Sequence, residues 1–140
     1  MVARTVAELN TQLADLRIER PSAPVVFVPT MGALHDGHRA LMTQASHYNG
    51  ISVASIFVNP TQFNRAEDLA SYPRDEQGDL ATLAQSKAQA VWFPEVGDLY
   101  PDGVSSTHYD LLELDTRLEG ALRPGHFQGV ATVVDRLFAA

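Results

Sequence analysis

Val25-Val26-Phe27-Val28-Pro29-Thr30-Met31-Gly32-Ala33-Leu34-His35-Asp36-Gly37-His38 is the stretch that decides how the rest of the chain is read. Val25 to Pro29 is rich in β-formers and does not alternate with polar residues, the pattern of a strand buried on both faces. Pro and Gly then turn the chain, and a His-Asp-Gly-His tetrad opens a helix-patterned segment. His35 and His38, three residues apart, share one helix face. Backbone N–H groups at the same helix start point outward with a partial positive charge. A strand end, a glycine turn and a donor-rich helix start together suit a polyphosphate.

Upstream, Thr5 to Arg17 reads as a helix, with a Thr5/Glu8 capping box and an apolar stripe of Val6, Leu9, Leu13 and Leu16. Arg20 to Pro24 is a Pro-containing connector. Downstream, Gly37 to Tyr48 reads as a helix capped by Asp36, with Leu41, Ala45 and Tyr48 facing inward. Ile51 to Val58 is a second buried strand ended by Asn59-Pro60. Glu67 to Arg74 reads as a loop, Asp75 to Ala88 as a helix, and Ala90 to Phe93 as a short third strand.

This βαβαβ order is half of a doubly wound parallel sheet, and right-handed crossovers place its strands 3-2-1. Glu95 to Gly125 is loop-rich, with a short strand expected at Tyr109 to Leu114. A helix from Gly129 carries Val130, Val133, Val134, Leu137 and Phe138 on one amphipathic face. In this topology that helix leads to a fourth strand beside the first. The sequence therefore predicts an α/β, Rossmann-like parallel sheet with flanking helices. It reads as one domain, residues 1–140, truncated before the fourth core strand. An unpaired edge on the first strand predicts self-association, as a homodimer or by swapping.

The 140 residues are 45% hydrophobic, enough for a real core. No apolar run approaches the roughly 20 residues of a membrane span, and no signal-peptide pattern opens the chain. The absence of Cys suits a cytoplasmic protein and excludes thiolate metal sites. A net charge of −7 argues against a nucleic-acid surface. Lys87 is the only lysine, so any anion clamp here must use Arg, His or helix termini.

Three segments can carry chemistry. A His-x-x-His pair alone is more often incidental, or a metal pair lacking a third ligand, and no third ligand is evident for a metallohydrolase. The place of His35 and His38, at the carboxyl end of a buried strand, favours a ligand site. Gly37 between them lets a ligand approach the backbone closely. Gln62, in Asn59-Pro60-Thr61-Gln62-Phe63, offers a donor and an acceptor for a hydroxy acid, with Phe63 as an apolar wall. Arg123-Pro124-Gly125-His126 stands at another helix start, followed by Val130, Val133 and Val134. Each of the last two also fits ordinary turn chemistry or helix packing. A catalytically idle folding or dimerisation module is the non-enzymatic alternative.

The HxGH tetrad resembles that of nucleotidyltransferase-type adenylating enzymes. Together with Ser55-Ile56-Phe57-Val58-Asn59-Pro60, Gln62-Phe63, Tyr72-Pro73-Arg74, Tyr100-Pro101, Leu118-Glu119-Gly120 and Arg123-Pro124-Gly125-His126-Phe127, it resembles the pantoate–β-alanine ligase family in order and spacing. A cytidylyl- or adenylyltransferase of the same superfamily would share the tetrad without Gln62 in its setting.

The resemblance implies an ATP-dependent ligase of coenzyme A biosynthesis that joins pantoate to β-alanine through a pantoyl adenylate, releasing AMP and pyrophosphate. It assigns His35 and His38 to catalysis on the phosphates of Mg²⁺-bound ATP, with Met31, Gly32 and Gly37 beside the nucleotide. It assigns pantoate to Pro29, Met31, Gln62, Phe63, Val130, Val133 and Val134, and no metal ligand to the protein in this chain. Thr61 stands where members usually carry Met. The family's Gly-Glu-Lys-Asp segment, a further Gln and a Ser-Ser-Arg-Asn loop have no counterpart here, which predicts weak activity or none for these residues alone.

Overall fold

Thr5 separates the first strand, β1 (Val2–Ala3), from the first helix, α1 (Val6–Ile18). Its Oγ1 accepts the Glu8 N–H at 3.1 Å, while Glu8 Oε2 reaches back to the Arg4 N–H at 2.6 Å. The expected capping exchange is present, with Glu8 answering one residue earlier than the standard box. In the computed structural model, which describes residues 1–140, the elements that follow are β2 (Val25–Thr30), α2 (Asp36–Ser46) and β3 (Ile51–Ile56). Next come a 3-10 turn (Pro60–Gln62), α3 (Ala66–Ser71), α4 (Glu76–Gln85) and β4 (Ala90–Trp92). The last elements are α5 (Val96–Leu99), a second 3-10 turn (Leu114–Thr116), α6 (Glu119–Leu122) and α7 (His126–Ala139).

Two compact units result, Met1–Phe57 with Pro73–Glu95, and Val58–Tyr72 with Val96–Ala140. The first holds the sheet, ordered β1-β4-β3-β2 and parallel throughout. Strands β4, β3 and β2 stand in the expected 3-2-1 order. Strand β1 was not expected: two residues are too short to carry a period-2 signal, yet Val2 and Ala3 pair with Val91 and Trp92. One sheet face buries Val28, Ala54 and Val91 against Met42 and Ala45 of α2 and Leu83 of α4.

Local expectations need correction in both units. In the first, Leu41 and Tyr48 are not inward; they are 55% and 62% exposed. The helix is set by its start at Asp36, and Met42 and Ala45, three residues apart, face the sheet, leaving Leu41 on the flank and Tyr48 past the helix end. Residues 67–74 are not all loop, since α3 forms over Ala66–Ser71. Asp75 then caps α4, its Oδ1 accepting the Gly78 N–H at 2.9 Å.

In the second unit no strand forms at Tyr109 to Leu114. The Gln128 amide takes both backbone groups of Tyr109 instead, accepting its N–H at 2.8 Å and donating to its carbonyl at 3.0 Å. One side chain thus replaces the ladder a strand would need. Helix α7 starts at His126, three residues before the expected Gly129, after Gly125 at φ 82°. It buries Gly129, Thr132, Val133 and Leu137, while Val134 and Phe138 are 38% and 64% exposed. Thr132 takes an inner position because its Oγ1 accepts the Thr107 N–H at 2.9 Å and donates to the Gln128 carbonyl at 2.7 Å. No helix is long and apolar enough to cross a membrane.

Candidate functional site

Two imidazoles, not Asp36, cap α2. His35 is the N-cap, and its Nδ1 accepts the Gly37 N–H at 3.1 Å. His38 Nδ1 accepts the His35 N–H at 3.3 Å, so the pair forms a reciprocal cap. The rings lie 4.1 Å apart between centroids, tilted by 51°. Asp36 stands outside this exchange and pairs with Arg39 at 3.2 Å. A ring nitrogen that accepts a hydrogen bond carries no proton, so both neutral rings hold theirs on Nε2. Each therefore offers an Nε2–H donor away from the helix backbone. His38 is held below the ordinary histidine range, chiefly by partial burial and then by the neighbouring His35, against an opposing pull from Asp79.

Gly37 makes room for an imidazole: a Cβ there would lie 2.9 Å from His35 Cε1 and 3.0 Å from its Nδ1. The turn before the helix is also specialised. Gly32 and Ala33 both adopt left-handed backbone, at φ 81° and 51°. Thr30 Oγ1 accepts the Gly32 N–H at 3.2 Å and donates to the Ser55 carbonyl at 2.7 Å. From α4, the buried Asp79 carboxylate accepts the Leu34 N–H on Oδ1 at 2.8 Å and the Ala33 N–H on Oδ2 at 3.1 Å. Asp79 carried no sequence signal, because an acid on a short polar helix is commonplace. Pro29, Met31, Gly32, His35, Gly37 and His38 are thus gathered in one β2–α2 segment of the first unit, as adjacency in sequence demands.

The second unit gathers Gln62, Phe63, Val130, Val133 and Val134. Asn59, fully buried, anchors them: its Oδ1 accepts the Tyr100 hydroxyl at 2.6 Å, and its Nδ2 donates to the Gly129 carbonyl at 3.1 Å. Thr61 Oγ1 joins the same knot, 3.2 Å from Tyr100 Oη and 3.1 Å from Asn59 Oδ1. The Arg136 guanidinium lies 4.3 Å from the Tyr100 ring centroid and donates to the Leu99 carbonyl. This network fixes the 3-10 turn that carries Gln62, whose side chain is buried while its carbonyl accepts from His126 Nδ1 at 3.1 Å. The carbonyl can only accept, so His126 holds its proton on Nδ1, the opposite tautomer to the capping pair. Phe63 meets Tyr72 edge-on, with centroids 5.6 Å apart. Val133 is buried, Val130 half-buried and Val134 exposed on the flank of α7. Arg123 is engaged by Glu119 at 3.4 Å, an ion pair one helical turn apart.

A family model described as Pantoate-beta-alanine ligase matches residues 1–140. A pantothenate synthetase of Herpetosiphon aurantiacus is 52% identical over 132 residues, 94% of this chain and 48% of that protein. The crystal structure of pantothenate synthetase from Thermus thermophilus is similar with a TM-score of 0.81 at 45% identity, covering 99% of this chain and 48% of that one. The Francisella tularensis pantoate-beta-alanine ligase, complexed with beta-gamma ATP and beta-alanine, gives a TM-score of 0.87 at 38% identity over 99% of this chain and 52% of that one. The chain spans about half the length of these relatives.

Proposed function

The chain belongs to the pantoate–β-alanine ligase family, and from that membership we propose that it takes part in the ATP-dependent joining of pantoate to β-alanine. In this reading residues 1–140 serve as the nucleotide- and acid-binding domain of a cytoplasmic enzyme. Pantoate's carboxylate is already ionised near neutral pH, so its attack on the α-phosphorus of ATP needs no general base. It needs in-line placement and offset phosphate charge. Attack forms the pantoyl adenylate and expels pyrophosphate; the β-alanine amine then attacks the acyl carbon and releases AMP.

The observation that carries this reading is the imidazole cap. His35 and His38 commit Nδ1 to the helix start, and so present Nε2–H donors of fixed direction to the ATP phosphates, beside the first-turn N–H groups of α2. Met31, Gly32 and Gly37 line the nucleotide. Gln62 is assigned to pantoate's hydroxyl and carboxylate, and Phe63, Val130, Val133 and Val134 to its methyl groups. No three His, Asp or Glu side chains are grouped to hold a metal ion; Mg²⁺ is proposed to enter with ATP as a counter-charge on the phosphates. Self-association is proposed through β2, the terminal strand of the sheet.

Calorimetric titration with Mg-ATP tests the phosphate assignment. His35→Ala and His38→Ala are each expected to weaken binding about tenfold or more, the effect of losing a hydrogen bond to a charged group. Gln62→Ala is expected to remove the pantoate-induced thermal shift while leaving the ATP titration unchanged. Unaltered ATP affinity in both histidine variants would overturn the reading.

A further inference from the structure

We propose that Asp79 is a positioning residue for the phosphate-binding turn: from α4 it clamps the Ala33 and Leu34 N–H groups, and so fixes the geometry from which His35 and His38 present their donors. This rests on the reading of those imidazoles as phosphate ligands.

Three observations converge on it. Gly32 and Ala33 are consecutive left-handed residues, at φ 81° and 51°. For alanine that conformation is unfavourable, and it persists only where the surroundings over-determine it. The carboxylate supplies the constraint, one oxygen to each N–H, at 2.8 and 3.1 Å. It also explains the glycine, because a Cβ on Gly32 would lie 2.7 Å from Asp79 Oδ2.

Electrostatics sharpens the point. A carboxylate within the field of His38 disfavours an incoming polyphosphate. Its retention needs an offsetting gain, and two charge-assisted backbone bonds provide one. The helix start follows within one residue of the clamped Leu34, so any drift of the turn is passed to the His35 N-cap. Without the clamp, His35 loses the fixed backbone from which Nδ1 reaches Gly37, and Nε2–H loses its direction. The groups that act on His38 charge are His35 and Asp79.

The test uses the ¹⁵N-labelled chain and its Asp79→Asn variant. In the unmodified chain the Ala33 and Leu34 amides are expected to exchange slowly although they lie in a loop. In D79N their exchange is expected to accelerate about tenfold or more. The ring ¹⁵N shifts of His35 and His38 are expected to move from a pure Nε2–H pattern toward a tautomer average, with ATP affinity falling about tenfold. Unprotected Ala33 and Leu34 amides in the unmodified chain overturn the proposal whether or not D79N folds. So does a folded D79N with unchanged histidine shifts, which would leave Asp79 a fold residue only. If the unmodified chain binds ATP no better than adenosine, the phosphate reading fails, while the exchange and tautomer results still decide the clamp.

Discussion

At the scale of single residues, the chemistry turns on where protons sit. Protonated His38 has no lone pair on Nδ1 and cannot accept the His35 N–H. Its folded pKa lies below the unfolded value of 6.5, so the unfolded chain binds that proton more readily. The sign follows from linkage: the cap's contribution is present above pH 6.5 and is lost as pH falls through the lower folded value. Thermal midpoints measured between about pH 7 and pH 5 are expected to fall more steeply in the unmodified chain than in His38→Ala. Parallel curves would contradict the imidazole cap. Ser55 makes a separate case. Its Oγ is buried without a hydrogen-bond partner, so Ser55→Ala removes an uncompensated desolvation cost. Chemical denaturation is expected to show unchanged stability or a gain of up to about 1 kcal/mol. The histidines were visible in the sequence as a motif; their tautomers were not, because a tautomer is decided by the partner of the other nitrogen.

At the scale of elements, close backbone approach does what side-chain burial does elsewhere. Gly129 of α7 lies so near the 3-10 turn that a Cβ would sit 2.3 Å from the Thr61 carbonyl oxygen. Backbone cannot rotate away as a side chain can. Gly129→Ala is expected to cost about 1–3 kcal/mol in denaturation and to displace the turn carrying Gln62. An unchanged midpoint with unchanged pantoate response would refute the contact. The long helices and the strands β2, β3 and β4 were legible because apolar pattern and turn residues are local, and the Thr5 cap of α1 illustrates it. Short pieces were not. β1 and α3 hold too few residues for a period to show, and the expected strand at Tyr109 gave way to the Gln128 amide, 19 residues away.

At the scale of the whole molecule, strand order and charge set the expectations. Strand β2 ends the sheet, with an apolar run whose outer edge suits pairing with a second copy. Light scattering over a range of concentrations is expected to show a mass that rises above 15.3 kDa. A constant monomer mass would count against pairing through β2. Periodicity, Pro/Gly punctuation and the order of the motifs were enough to determine the parallel α/β class, the order of β4, β3 and β2, and the family. Those features are written in neighbouring residues, and a βαβ crossover has one favoured hand. Only the tertiary structure decided that imidazoles rather than Asp36 cap α2, that β1 joins the sheet, and that Asp79 reaches the turn 45 residues before it. Each depends on which groups folding brings within about 3 Å of one another, and chain-distant pairs leave no trace in local pattern.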